Sequence, residues 1–225
     1  MQNKIFLLDT LLYFDIFNYP LTLNEFHTFL IGKRISKRNL KESIRQERFI
    51  EAREGLYYLK GKKNIVEQRI FRDVISREKR KIAEDVVKWL AWFPSIQSIA
   101  LSGSVACNNA KEEDDIDLFI ITSPNTMWIT RFFVYSFLKI TGKMRGKKQK
   151  NNLFCPNMFL SFDSLEINQK NIYTASEILH LVPLLDKNSS FSCFLTINSW
   201  VTNFFPNTRI RRVELKKQIP IEMCL

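Results

Sequence analysis

The chain has 225 residues, 45% hydrophobic and 25% charged, with 19 Phe; that is enough apolar material for one large or two modest domains and excludes a disordered chain. Its 34 basic and 23 acidic residues leave a net charge of +11, which favours a polyanionic partner such as nucleic acid or nucleotide phosphates. A histidine-built metal centre is excluded, because the only histidines are His27 and His180 and neither lies in an H-E-x-x-H pattern.

The apolar stretches Leu118 to Ile121 and Phe132 to Ile140 are far shorter than the ~20 residues a bilayer needs. Asp9 and Asp15 interrupt the N-terminal apolar run, so it does not read as a secretory leader. Cys107, Cys155, Cys193 and Cys224 form no C-x-x-C pair and read as reduced thiols. The expectation is a cytoplasmic protein with no membrane contact.

Along the chain, Ile5, Leu8, Leu11, Leu12 and Ile16 recur at helical spacing until Asn18-Tyr19-Pro20 breaks it. Thr22 and Glu25 form a capping box for a second helix that ends at Gly32. A third helix starts near Ser36 and presents Lys33, Arg34, Lys37, Arg38, Lys41, Arg45 and Arg48 against only Glu42 and Glu47. Phe49 to Ala52 and Leu56 to Leu59 flank the turn Arg53-Glu54-Gly55, a hairpin. Three helices followed by a hairpin resemble a winged-helix module over residues 1–62. Its basic third helix suits nucleic acid, although such modules also dock proteins.

Residues 63–93 predict one long connecting helix ended by Pro94. From there the pattern turns to strands: Ile96 to Leu101, Ile116 to Thr122 and Leu153 to Phe162, with an amphipathic helix over Asn125 to Ile140. From Tyr173 two helices are expected, through Leu185 and over Phe191 to Phe205, then a basic tail carrying Arg209, Arg211, Arg212, Lys216 and Lys217. The fold class is α/β (α+β), with a mixed-sheet core over 94–170 and C-terminal helices over 171–225. Trp128 and Trp200 read as core residues.

The chemistry concentrates in one segment. Gly103 follows an apolar strand, where a residue without Cβ lets the backbone bend sharply and approach a ligand. Ser104 adds a hydroxyl and an amide suited to phosphate oxygens. Asp115 and Asp117 stand two apart at the start of a strand, so their carboxylates share a face; Ile116, Leu118 and Ile120 point the other way. Two converging carboxylates call for a hard cation, Mg²⁺ or Mn²⁺. Between the helix and the third strand, Lys139, Lys143, Arg145, Lys147, Lys148 and Lys150 form a segment of six cations able to attract a triphosphate or a nucleic-acid backbone.

An apolar strand, Gly103-Ser104, a ten-residue spacer and Asp115-x-Asp117 resemble the signature of the DNA polymerase beta-like nucleotidyltransferase superfamily. Residues 1 to about 205 also resemble bacterial proteins that set a winged-helix-like segment before a small nucleotidyltransferase domain. That likeness rests on Phe14 to Thr22, Asn108 to Lys111 and Asn157 to Leu160. The resemblance implies that Asp115 and Asp117 hold metal, that Gly103 and Ser104 bind a nucleoside triphosphate, and that a nucleotidyl group passes to an acceptor hydroxyl on RNA, protein or a small molecule. The superfamily's third carboxylate has no clear counterpart: the expected strand offers Asn157, or Asp163 if it extends that far. Asn can ligate a metal but cannot take a proton. A degenerate nucleotide-sensing regulator that binds nucleic acid, and an antitoxin-like protein partner, therefore stay open as alternatives. No P-loop, dinucleotide fingerprint or nucleophile elbow occurs.

Overall fold

The computed structural model describes residues 2–146 and 151–210. The expectations for Lys147, Lys148, Lys150, Arg211, Arg212, Lys216, Lys217 and Cys224 fall outside these residues. The chain divides into two compact units, one comprising Met1–Arg72, Gln169–Ser176 and Trp200–Arg209, the other chiefly Asp73–Asn168 and Glu177–Ser199.

The first unit contains α1 (Gln2–Asp15), β1 (Leu21–Thr22), α2 (Leu23–Thr28), α3 (Lys37–Arg45), β2 (Ile50–Arg53) and β3 (Leu56–Leu59). The strands form an antiparallel sheet in the order β1-β3-β2. Thr22 caps α2 as its spacing with Glu25 requires, and Ser36 caps α3. Glu54 and Gly55, at φ 53° and 76°, make the tight hairpin turn between β2 and β3. Arg69 ties this unit together: its guanidinium lies over the Tyr19 ring and donates to Tyr19 Oη at 2.7 Å and Glu25 Oε1 at 3.0 Å. The buried side of α1 is Leu7, Leu11 and Phe14, whereas Ile5, Leu12 and Ile16 are exposed. Apolar residues occur all round this helix, so of the spaced residues Ile5, Leu8, Leu11, Leu12 and Ile16 only Leu11 is buried.

Helix α4 (Ile65–Leu90) begins in the first unit and continues into the second. The second unit then runs β4 (Ile96–Ser102), α5 (Gly103–Ala106), β5 (Ile116–Thr122), α6 (Met127–Ile140), β6 (Phe154–Ser161), the end of α7 (Ile172–His180), β7 (Val182–Asp186) and α8 (Ser190–Ile197). The four strands form a mixed sheet in the order β6-β5-β4-β7, parallel only between β5 and β6, whose crossover is α6. The fold is α/β. One face packs Ile99, Leu101, Ile116, Leu118 and Ile120 against Val86, Leu90, Val134 and Leu138. On the other, Phe119 meets Phe194 of α8 with ring centroids 4.9 Å apart. Both faces of β5 are thus covered beyond Asp117, which is why it reads as continuous apolar sequence.

Two expectations are corrected in this region. Leu181 to Leu185 does not continue a helix: Pro183 cannot donate within one, and Val182–Asp186 instead forms β7 at the sheet edge, where a missing N–H is tolerated. Trp128 is not a core residue but 72% exposed. The inward positions of α6 are Thr130, Val134 and Leu138, and two residues is about 200° of helical rotation. Trp200 is half-buried, its ring 6.1 Å from that of Phe204. Among the described residues no helix is long and apolar enough to cross a membrane.

Candidate active site

The start of β5 and the end of β4 lie side by side, because Ser102 pairs with Asp117 across the antiparallel ladder. That register brings Gly103 and Ser104 to the edge of the sheet that carries Asp115 and Asp117. Gly103 sits at φ +62°, and a Cβ built on it would come within 2.5 Å of Asp117 Oδ2. The Asp117 carboxylate therefore rests directly over this backbone. Only glycine satisfies both the left-handed turn and the close approach.

The acidic turn before β5 is held from below by a buried cation. Lys79 of α4 is only 2% exposed, and its Nζ donates to Glu112 O at 2.9 Å, Asp114 O at 2.7 Å and Asn152 Oδ1 at 3.2 Å. Burial pulls the Lys79 ammonium below its usual range, while Asp114, Asp115, Glu113 and Glu112 oppose that shift. Lys111 N donates to Asp114 Oδ2 at 3.0 Å, and Ile116 N to Leu153 O at 2.8 Å. These contacts fix where Asp115 leaves the turn.

Four further groups surround the two aspartates. Arg145 Nε lies 2.8 Å from Asp115 Oδ2, brought there by the bridge of Met144 to Phe154. Cys155 pairs with Asp117 across the parallel ladder, and its thiol shares a hydrogen bond with that carboxylate. Ser102 is 8% exposed, and its Oγ is buried with no hydrogen-bond partner among the described residues. Glu177, in the last turn of α7, is close enough to Asp117 for their charges to repel. Burial pushes the Asp117 carboxyl up to about 6; Cys155 opposes this, Asp115 adds to it, and Arg145 opposes it again.

The positions considered for a third ligand are not brought to this place. Asn157 is exposed in an irregularity of β6, where the register slips between the Leu118–Pro156 and Phe119–Met158 pairs. Asp163 is exposed beyond Ser161, while Asp117 stands beside Cys155 near the opposite end of β6, roughly 20 Å of strand away. Among the described residues, no three of His, Cys, Asp and Glu gather as a metal-holding group.

Sequence reasoning passed over Lys79, Ser102, Cys155 and Glu177. Ser102 was visible in the string Ser-Gly-Ser. Cys155 needs the β5–β6 register to be noticed. Glu177 has no local signal, and Lys79 looks like its exposed neighbours Arg77 and Lys81.

The donor set fits a divalent cation. Asp115 and Asp117 offer hard oxygens on one sheet edge, mutual repulsion raises the cost of keeping both ionised, and the orphan Ser102 hydroxyl adds a neutral oxygen beside them. Two solved structures bear a partial likeness to the chain. A crystal structure of a toxin–antitoxin with AMP-PNP shares 13% identity over 53% of this chain and 84% of that one, at a TM-score of 0.34. A mutant of the MntA-HpeT toxin–antitoxin shares 11% over the same fractions, at a TM-score of 0.33. No curated protein sequence matches the chain. Residues 79–204, more than half of the chain and the span that runs from the buried Lys79 through the whole mixed sheet, match the nucleotidyltransferase domain model, and the chain belongs to that nucleotidyltransferase family.

Proposed function

We propose that the protein uses a divalent cation, Mg²⁺ or Mn²⁺, to transfer a nucleoside monophosphate from a nucleoside triphosphate to an acceptor hydroxyl. The observation that carries this reading is the seating of the Asp117 carboxylate against the Gly103 backbone, so close that a Cβ added to Gly103 would stand 2.5 Å from Oδ2. Asp115 and Asp117 would hold the cation, which when bound neutralises phosphate charge and polarises the α-phosphorus. The Gly103–Ser104 backbone and the Ser104 hydroxyl orient the triphosphate. Arg145, displaced from Asp115, supplies positive charge to the same phosphates. The acceptor oxygen bonds to the α-phosphorus as its proton passes to water, the bond to the bridging oxygen breaks, and pyrophosphate leaves in line. The chain's contribution is position and charge neutralisation.

The test is incubation with α-labelled NTPs, Mg²⁺ or Mn²⁺, and a panel of RNA, protein and small-molecule acceptors. Label transfer is expected, and is expected to disappear in Asp115→Ala and Asp117→Ala. Transfer that persists in both variants sinks the assignment.

A further role is supported by the first unit. Its order of helix, strand, two helices and two strands, with the sheet β1-β3-β2, supports a winged-helix-like module. On α3 and just beyond it, Lys37, Arg38, Lys41, Arg45 and Arg48 are exposed while Leu40 and Ile44 are buried. We infer that this face meets a nucleic-acid backbone. Replacing Lys41 and Arg45 by Ala is expected to reduce the slope of log affinity against log salt by roughly 0.9 for each phosphate no longer neutralised. No binding to duplex DNA or RNA at low salt removes this role and leaves the transferase reading untouched.

A further inference from the structure

Helix α6, the crossover between β5 and β6, carries only two charged residues, Arg131 and Lys139, among its 14. A helix that is apolar all round needs cover all round. The sheet covers one side: Thr130, Val134 and Leu138 are buried, whereas Trp128, Ile129, Phe132 and Ile140 are each more than half exposed.

The apolar surface continues onto the end of α4, within the same compact unit. The Phe93 ring lies 6.1 Å from that of Phe133 and 6.4 Å from that of Phe137, both in α6. Trp89 stands one helical turn before Phe93, and the Trp92 N–H donates to Trp89 O at 3.2 Å; both tryptophans are more than half exposed. At roughly 200 Å² for a large apolar side chain, the exposed parts of these six residues amount to about 800 Å². The largest apolar patch of an ordinary monomer is roughly 300–600 Å², whereas one side of a standard interface is about 800 Å². The patch is of interface size.

Its chemistry selects the partner. The outward stripe Ile129, Phe132, Ser136 and Ile140 carries no charge, and α6 holds no acid. Arg131 is turned onto the chain's own rings, its guanidinium 5.9 Å from Trp128, 5.3 Å from Tyr135 and 5.6 Å from Phe159. Aromatic residues with an arginine and few other charges are the composition of an interface between copies of one chain. A bilayer surface binds helices whose opposite face is rich in Lys and Arg, and the opposite face of α6 is its buried row.

The stripe is also complementary to itself. With α6 laid antiparallel on a second α6, Ile129 meets the second copy's Ile140, and the bulky Phe132 meets the second copy's small Ser136. Both pairs share a midpoint near Val134, so a single two-fold axis satisfies them together. We propose that this face joins two copies of the chain into a dimer, with the α6 helices antiparallel across a two-fold axis passing over Val134. The dimer does not depend on the transferase reading.

Sedimentation equilibrium of the full chain is expected to give twice the 26.7 kDa of the monomer, with a Kd below about 10 µM. Phe132→Glu is expected to weaken association by roughly 30-fold or more with an unchanged circular dichroism spectrum, because Phe132 is exposed in the single chain. Ile16→Glu, at an exposed apolar position of the first unit, leaves the dimer as it was. The pairing has its own test. Ile129→Glu weakens the dimer, and adding Ile140→Lys restores it in part at low salt, since the two positions are opposite across the axis and about 17 Å apart along one helix. Side-chain oxidation of the wild-type chain is expected to spare Phe132 at high concentration and modify it on dilution. A wild-type chain that stays monomeric at about 100 µM overturns the proposal. So does a dimer that Phe132→Glu leaves intact, or the absence of any rescue by Ile140→Lys. Vesicles of phosphatidylglycerol and phosphatidylcholine that shift the tryptophan emission of a monomeric chain assign the face to a membrane and overturn the dimer.

Discussion

Gly103→Ala perturbs the place where the backbone turn meets the Asp117 carboxylate. Two effects add. Gly103 occupies φ +62°, where an alanine costs about 1–2 kcal/mol. The new methyl would also start 2.5 Å from Asp117 Oδ2, against an ordinary contact beginning at 3.4 Å, so the carboxylate or the turn must move by about 0.9 Å. The strand cannot absorb that shift, since Leu118, Ile120 and Ile121 beyond it are fully buried. The conformational cost predicts a fall in Tm of roughly 2–8 °C for a chain of this size. Misplacing a reacting group by about 1 Å predicts a loss in nucleotidyl transfer of roughly 100-fold. Thermal melting by circular dichroism and transfer of an α-labelled NTP measure the two separately. Ala at 103 with unchanged Tm and unchanged transfer would refute the claim that Asp117 is seated on this turn. Gly55→Ala is the control: it shares the positive φ, at 76°, but a Cβ there meets nothing within 4 Å, so Tm falls and transfer does not.

Two other outcomes follow from buried charge. Burial and neighbouring acids raise the Asp117 carboxyl from 3.8 to about 6, so between these values the folded chain holds a proton that the unfolded chain has released. Stability therefore falls as pH rises through this window, and the full burden is present above about 6. Discounted for partial exposure, it is worth about 1–2 kcal/mol. Asp117→Asn in metal-free buffer is expected to raise Tm at pH 7.5 and to converge with wild type near pH 4; a difference independent of pH contradicts the assignment. Removing the Lys79 ammonium strands the carbonyls of Glu112 and Asp114, which partial rehydration of the turn offsets. Lys79→Met is expected to lose about 2–4 kcal/mol in urea unfolding and to speed amide exchange over residues 111–115, whereas the exposed Lys81→Met stays within about 0.5 kcal/mol of wild type.

Much of the local structure is legible because the signals act over short distances. Thr22 with Glu25 and Ser36 before α3 are caps whose partners lie three residues away. The apolar run of Ile116 to Thr122 announces a strand covered on both faces. Signals fail where two readings share one pattern: α1 is apolar on every side, and Leu181 to Leu185 suits helix or edge strand until β4 is there to pair with it.

The sequence by itself determined the family pattern: a glycine at a strand end, a serine beside it and two aspartates two residues apart are all read from the chain, and residues 79–204 match the nucleotidyltransferase domain. The tertiary structure decided which other groups stand beside these residues. Pairing of β5 with β6 set Cys155 beside Asp117 and left Asn157 in an irregularity, and a one-residue slip would have put Phe154 or Pro156 there instead. Lys79 lies 33 residues before Glu112, and Glu177 lies on a helix remote in sequence from Asp117. The charge each carries depends on burial and on the field of distant charges. Those are properties of packing, which no spacing along the chain encodes.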